Sequence, residues 1–382
     1  MYKNLLQLRA GGFLFIKKLI SLGLLLSVVM CMTGYSGSPG GNWAELSLSA
    51  ESAILICADS GTVLYEKDPD RQMAIASITK IMTAVIALEY AEQDDMEIRF
   101  TREMTAEGSS LCLKEGEVLT LSELTAGMMC VSGNDAANAV AIGIAGSLEG
   151  FAELMNEKAR SLGMSNTHFV TPSGLDHEEH YSTARDMAVL CSYAMTNQRF
   201  VSIVSERELT VSYISPKGKT QRCANHNRLL SEYEGCLGIK TGYTKKAGRT
   251  LTSCAERDGV RLIAVTLSAP DDWNDHRKLL DYGFSVTEGI KAAGAEDIYD
   301  QPVAGGRSDT IAVRPERDII ITGIRHEENE IQTKLIMPHF VYAPQSEGDR
   351  AGMIYCFRNG KLIAGAALVY AGSVGINKQE TT

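Results

Sequence analysis

Ser77 is followed three residues later by Lys80, within Ala76-Ser77-Ile78-Thr79-Lys80-Ile81-Met82-Thr83-Ala84 and just ahead of the apolar run Val85-Ile86-Ala87-Leu88. Positions three apart share a helix face, so the lysine amine would stand beside the serine hydroxyl. A serine hydroxyl is a weak nucleophile until a neighbouring base takes its proton, and a partly desolvated lysine can be that base. A helix starting near Ser77 would turn its positive end towards developing negative charge. The same residues also suit a plain helix N-cap with a solvated lysine, so this pair alone does not establish chemistry.

Two later stretches decide between these readings. Ser132-Gly133-Asn134 precedes the small-residue run Asp135-Ala136-Ala137-Asn138-Ala139, and Lys240-Thr241-Gly242-Tyr243 follows much later. Ser-x-x-Lys, Ser-x-Asn and Lys-Thr-Gly in this order form the signature of an acyl-serine active site. Ser77, Lys80 and Ser132 are the catalytic candidates; Asn134, Lys240, Thr241, Gly242 and Tyr243 are the candidates for binding substrate.

The elements that must position them follow from periodicity and turn signals. Ala53–Ala58 and Thr62–Glu66 flank Asp59-Ser60-Gly61 and predict a hairpin before the Ser77 helix. A helix capped by Thr120 or Ser122 runs to Ser132-Gly133, and another starts from Asn134-Asp135, so Ser132 and Asn134 lie on an inter-helix loop where polar groups can face a cleft. Helices are also expected around 151–159, 183–190 and from His276 to Tyr282. Strands 239–243, 249–255 and 261–267 carry the Lys-Thr-Gly motif, with Asp258-Gly259 as a tight turn. Asp271 to His276 reads as a surface loop entering the last helix. Beyond Gly289 the character changes to short strands near 311–313, 319–322, 331–336, 352–357 and 362–369, with Asn359-Gly360 as a hairpin turn, which predicts a small all-β domain.

Composition bounds the class. The chain has 382 residues with 22% charged and 45% hydrophobic, an ordinary globular mixture long enough for two domains. Its formal net charge of −10 gives no footprint for nucleic acid. Lys17-Lys18 precede an apolar run, Leu19 to Met32, that is short for a membrane span and leads into Gly/Ser/Pro-rich sequence, as in a secretory leader. The expected organisation is therefore a signal and linker over 1–50, a catalytic domain over 51–288, an all-β domain over 289–375 and a polar tail over 376–382. Export would place the protein outside the cytoplasm, at the outer face of the membrane, in the wall or secreted. Membrane contact is expected only through the N-terminal segment, since Val374 to Thr382 has no apolar face. The nine cysteines are scattered, show no zinc spacing and allow no assignment of disulfides. The histidines are equally dispersed. No metal and no cofactor is called for.

With the three motifs in place, the chain resembles the low-molecular-mass penicillin-binding proteins that are serine-type D-alanyl-D-alanine carboxypeptidases. The likeness extends through Ile75–Lys80, Val131–Ala137, Gly238–Thr244, Leu113–Glu117 and Thr171–Leu175. It implies an α/β (α+β) fold: an antiparallel sheet packed by helices, a helical subdomain with a cleft, and a C-terminal β-sandwich. It implies that Ser77 attacks the peptide between the two terminal D-alanines of a peptidoglycan stem, that Lys80 takes its proton, and that Ser132 relays one to the leaving D-alanine. Asn134 would hold the substrate amide, and Lys240 and Thr241 the terminal carboxylate. Gly242 would let substrate approach the strand, and the backbone N–H groups of Ser77 and Tyr243 would form the oxyanion hole. β-Lactams would acylate Ser77. Relatives often carry an aspartate where Leu237 stands, and an arginine that grips the carboxylate, for which Arg249 and Arg277 are candidates. A β-lactamase, which would need a Glu-x-x-x-Asn glutamate that Glu153-Leu154-Met155-Asn156 misses by one residue, a D,D-endopeptidase or transpeptidase, and a non-catalytic wall-binding module are the competing readings.

Overall fold

The computed structural model describes residues 46–326 and 330–377. The expected leader with Lys17, Lys18 and Cys31, and residues 378–382 of the expected tail, lie outside the described residues. Two compact units emerge: one contains the described residues up to Arg257 together with Arg261–Ser285, the other Asp258–Val260 together with the chain from Val286. Among the described residues no cysteine forms a disulfide, and no helix is long and apolar enough to cross a membrane.

The first unit opens with the expected hairpin, β1 (Ser52–Cys57) and β2 (Val63–Lys67). A 3-10 turn over Ala76–Thr79 leads into α1 (Lys80–Ala91). The α-helix thus begins at the lysine, not at Ser77. Ala76 takes a φ of +49°, outside the helical region, and the Thr79 hydroxyl donates back to the Ala76 carbonyl at 2.8 Å, which tightens the chain to the three-residue repeat. In that repeat residues three apart eclipse, so Ser77 and Lys80 still face each other.

β3 (Glu97–Arg99) pairs with β4 (Val118–Thr120), a short pairing with no clear sequence signal. Of the two candidate caps, Thr120 is the one used: its hydroxyl accepts from the Glu123 N–H at the start of α2 (Leu121–Val131). That helix ends where Ser132 adopts a left-handed conformation, φ +59°, and α3 (Asn134–Ala145) starts two residues later. α4 (Leu148–Ser161), α5 (Ala184–Ala194) and α6 (Gln198–Val204) follow. Leu124, Met128, Ala136, Ala137, Val140, Phe151 and Met155 join α1 in one buried cluster, where the alanines of α3 allow close helix approach. β5 (Glu208–Ser212) and β6 (Thr220–Ala224) form a second unforeseen hairpin, then α7 (Leu229–Glu232).

β7 (Cys236–Thr244), β8 (Gly248–Arg257) and β9 (Val260–Leu267) complete a sheet of order β2-β1-β9-β8-β7, with β7 as its outer strand. Leu237, where the resemblance implied an aspartate, falls at a register shift in β7 between Cys236 and Gly238 and packs on the core. Every residue of β1 is buried, so both faces of the sheet are covered. One face takes the 3-10 turn, since Thr250 on β8 donates to the Ile75 carbonyl. The other takes α8 (Asp272–Val286). Here the expected surface loop at 271–276 is corrected. Asp272, Asp275 and His276 are buried within α8. Asp275 accepts from the N–H groups of Ser49 and Ala50, while His276 Nδ1 bonds Ser253 Oγ at 2.5 Å and Nε2 bonds Thr266 Oγ1 at 3.0 Å. Polar residues that read as solvated instead tie a helix to the sheet and to the incoming chain.

The second unit is built of strands. β10 (Thr287–Ala293) pairs with β13 (Ile319–Ile324), and a six-stranded sheet runs β14 (Ile331–Ile336), β16 (Arg350–Arg358), β17 (Lys361–Tyr370), β12 (Thr310–Pro315), β11 (Tyr299–Ala304), β15 (Val341–Tyr342). Val313, Ile321, Ile354, Cys356 and Leu368 form its core. Asn359 and Gly360, both at positive φ, make the tight β16–β17 turn that their identities predict.

Candidate active site

Ser77 and Lys80 meet at the base of α1, with Lys80 Nζ 3.0 Å from Ser77 Oγ. Lys80 is 0% exposed, and its other contacts are Asn134 Oδ1 at 2.7 Å and the Ser173 carbonyl at 2.7 Å. Three acceptors surround Nζ; once the amine is neutral, Asn134 and Ser173 can take its two N–H bonds and its lone pair can face the serine hydroxyl. Burial drives the Lys80 pKa well below the ordinary lysine value, the nearby charge of Lys240 pushes it further down, and Asp135 offsets part of this.

Asn134 is used at both ends: Oδ1 accepts from Lys80, and Nδ2 donates to the Glu107 carbonyl at 2.6 Å. In this structure one end of the amide therefore contacts the lysine and the other the Glu107 backbone. Asp135, the next residue, accepts from the N–H groups of Leu111 (2.8 Å) and Leu113 (3.1 Å) and from Ser110 Oγ (2.7 Å). It clamps the 110–113 loop beside the site. Ser132 is buried at the end of α2, joined to Asn134 through Gly133, where an added Cβ would lie 3.0 Å from Leu111 N. The tight α2–α3 junction therefore places Ser132 beside Asn134 at the cost of one strained backbone conformation.

Lys240 is 3% exposed on β7 and donates to the Thr241 carbonyl at 2.9 Å. Burial lowers its pKa to about 8. Strand alternation and the pairing Lys240 with Thr252, Gly242 with Thr250, put Lys240 and Gly242 on the face that covers the 3-10 turn. Thr241 and Tyr243 alternate away, and Tyr243 is 65% exposed. Gly242 is also needed by the fold itself: a Cβ there would stand 2.4 Å from Thr250 Oγ1 and 2.9 Å from Ser77 N. The glycine lets β7 lie against the nucleophile's own backbone. Both arginine candidates are ion-paired in this structure: Arg249 with Asp272 at 3.0 Å, and Arg277 with Glu232.

Several contributing residues carried little sequence signal. Ser173 acts through its carbonyl, which any residue type possesses. Gly174, at φ +83°, presses so close that a Cβ would lie 1.9 Å from the Ala76 carbonyl oxygen; the Thr171-Pro172-Ser173-Gly174 turn was the available clue. Thr83 donates to the Pro172 carbonyl at 2.6 Å and anchors the same loop to α1. Asn156 exchanges hydrogen bonds with the Phe169 backbone, both at 2.8 Å, and Glu153 is exposed, so this pair serves the loop's architecture. Among the described residues no group of three or more His, Cys, Asp and Glu could hold a metal ion.

Comparison with known proteins supplies the context. Residues 41–271 match the peptidase family S11 profile, described as D-alanyl-D-alanine carboxypeptidase, and residues 288–375 match the C-terminal domain of penicillin-binding protein 5. The chain is 32% identical to D-alanyl-D-alanine carboxypeptidase DacF of Bacillus subtilis, over 91% of this chain and 92% of that protein. It is 33% identical to DacA of Escherichia coli K12, over 84% and 83%. Among solved structures it is similar to the carboxypeptidase DacD of Francisella tularensis, with TM-score 0.62 and 25% identity over 90% of this chain and 98% of that one. It also resembles the Streptomyces K15 DD-transpeptidase, with TM-score 0.60 and 30% identity over 63% of this chain and 98% of that one.

Proposed function

The chain belongs to the D-alanyl-D-alanine carboxypeptidase family, a group of serine-type penicillin-binding hydrolases, and on that basis we propose that Ser77 is its nucleophile and Lys80 the general base. The enzyme removes the terminal D-alanine from a peptidoglycan stem. Lys80 takes the Ser77 proton as Oγ attacks the carbonyl between the two D-alanines. The backbone N–H groups of Ser77 and Tyr243 receive the oxyanion. Ser132 passes a proton to the departing D-alanine amine, and water then hydrolyses the acyl-serine. Lys240 supplies the positive field for the substrate's terminal carboxylate, with Thr241 at the strand edge beside it. The same steps on a β-lactam stop at the acyl-enzyme.

The observation that carries this reading is the 3.0 Å contact between Lys80 Nζ and Ser77 Oγ, in a setting where burial favours the uncharged amine. The β-lactamase alternative is not favoured: Glu153 is exposed and Asn156 is committed to the loop backbone. The catalytic unit is proposed to span 51–288 and the C-terminal all-β domain 289–375. Export is proposed from the apolar run after Lys17-Lys18. The test is mass spectrometry with peptide mapping after exposure to penicillin. The parent chain should carry one adduct on the Ser77 peptide, and Ser77→Ala none. An adduct that persists in Ser77→Ala would overturn the assignment.

A further inference from the structure

His180 lies outside the three motifs, yet its ring bonds to both halves of the catalytic pair's support. It is buried, 4% exposed. Nδ1 accepts from the N–H groups of Val170 at 3.0 Å and Thr171 at 3.3 Å. A nitrogen that accepts two N–H bonds carries no proton, so the hydrogen of the neutral ring sits on Nε2. Nε2 stands 2.8 Å from Thr79 Oγ1 and therefore donates to it, and the Thr79 hydroxyl donates onward to the Ala76 carbonyl at 2.8 Å. The chain of donors has one direction, from His180 through Thr79 to Ala76.

Each end of that chain touches the chemistry. Ala76 is the residue just before the nucleophile and holds a positive φ of 49°, a conformation that costs an L-residue free energy and needs outside support. Val170 and Thr171 begin the loop whose Ser173 carbonyl accepts from Lys80 and whose Gly174 presses on Ala76. We propose that His180 is a positioning residue for acylation: through Thr79 it holds the strained Ala76 turn that presents Ser77, and through Val170 and Thr171 it holds the loop that orients Lys80. The proposal rests on the assignment of Ser77 and Lys80 as nucleophile and base. The neutral ring with its hydrogen on Nε2 does this alone, and His180 touches neither substrate nor reacting atoms.

The two arms can be cut separately. In His180→Asn the amide oxygen replaces Nδ1 and keeps the loop arm but cannot reach Thr79. In His180→Gln the amide nitrogen replaces Nε2 and keeps the Thr79 arm. Thr79→Val removes the link while keeping shape, and Thr79→Ser restores the hydroxyl. Acylation by a fluorescent penicillin is followed by stopped flow, separating the initial binding constant from the first-order acylation constant. Misplacement of a reacting group by a fraction of an ångström to an ångström costs roughly ten- to a hundredfold in rate. Thr79→Val and His180→Asn should each lose about that much in the acylation constant with initial binding little changed, and Thr79→Ser should recover most of it. The double variant Thr79→Val/His180→Asn should be no slower than the worse single one, because both cut the same link. Nitrogen-15 NMR at neutral pH should show a protonated Nε2 and a bare Nδ1. If the single losses multiply in the double variant, or Thr79→Val acylates like the parent, the proposal fails. If a His180 variant does not fold, the Thr79→Val and Thr79→Ser pair decides by itself. A parent chain that does not acylate at all would instead refute the assignment of Ser77 and Lys80.

Discussion

In the proposed mechanism two lysines in one site do opposite work, and their surroundings bias which proton state each holds. Lys80 must be neutral to accept the Ser77 proton, while Lys240 must be charged to attract a carboxylate. Burial depresses both, and Lys240's charge depresses Lys80 further, so the pair separates in the required sense. Acylation should therefore rise with pH as Lys80 sheds its proton, then fall above about pH 8 as Lys240 loses its charge. A pH profile of the second-order acylation constant checks this. Lys240→Arg, whose guanidinium does not titrate in this range, should remove the alkaline limb. Lys240 also predicts specificity. A charge-assisted contact to a carboxylate contributes roughly 1.5–3 kcal/mol, so amidating the substrate's C-terminus should slow D-alanine release by about ten- to a hundredfold. Lys240→Ala should shrink that ratio. Equal release from free and amidated peptides by the parent would point to an endopeptidase.

At the scale of elements, the site is a meeting of ends: the 3-10 turn before α1, the α2–α3 junction, the 171–174 loop and the outer strand β7. Each is held by a contact distant from the reacting atoms. Asp135 is the clearest case, because its buried carboxylate accepts two backbone N–H groups and a hydroxyl from the 110–113 loop. Asp135→Ala would leave those N–H groups without an acceptor, at a cost of about 1–3 kcal/mol for each buried group. Urea denaturation should show a fall of that order in the first unit, together with slower acylation. Gly174→Ala should be more damaging to acylation than Asp135→Ala. Its Cβ would overlap the Ala76 carbonyl at 1.9 Å, and its φ of +83° disfavours any L side chain. Penicillin labelling of the soluble variant measures the effect, and parent-like labelling would show that the turn tolerates displacement.

On the scale of the whole molecule, buried histidines make the first unit acid-sensitive. Burial lowers His180 to about 4 and His276 to about 3. Both titrate near 6.5 when unfolded, so between 6.5 and these values the unfolded chain binds more protons, and stability falls as pH falls. For His180 the loss is on the order of 3 kcal/mol, complete near pH 4. Burial raises the carboxyls of Asp186 and Asp272, which works the other way and offsets part of it. Denaturation midpoints should be highest near neutrality and drop below pH 6.5. His276→Gln, which keeps polar contacts without titrating in this range, should flatten the curve. The division into two units predicts that a chain ending at residue 288 still acylates at close to the parent rate. A shortened chain that folds yet resists penicillin would assign the C-terminal unit a part in the site.

The order and spacing of Ser77, Lys80, Ser132, Asn134 and Lys240-Thr241-Gly242 were legible in one dimension because side-chain chemistry demands those residue types. A cap at Thr120 or Ser122, the Asn359-Gly360 turn and the strands of β8 and β9 were legible because local geometry restricts which residues can stand there. The sequence by itself thus determined the reaction class and the broad division of the chain. Tertiary structure alone decided that α1 starts at Lys80, that Asn134 contacts the lysine, and that Gly242 admits the backbone of Ser77. It also decided that Arg249 and Arg277 pair with carboxylates, that the Ser173 carbonyl meets Lys80, and that His180 bonds Thr79. These depend on carbonyls, N–H groups and Cβ clearances that every residue shares or lacks alike, and such groups acquire a role only when folding brings distant segments together.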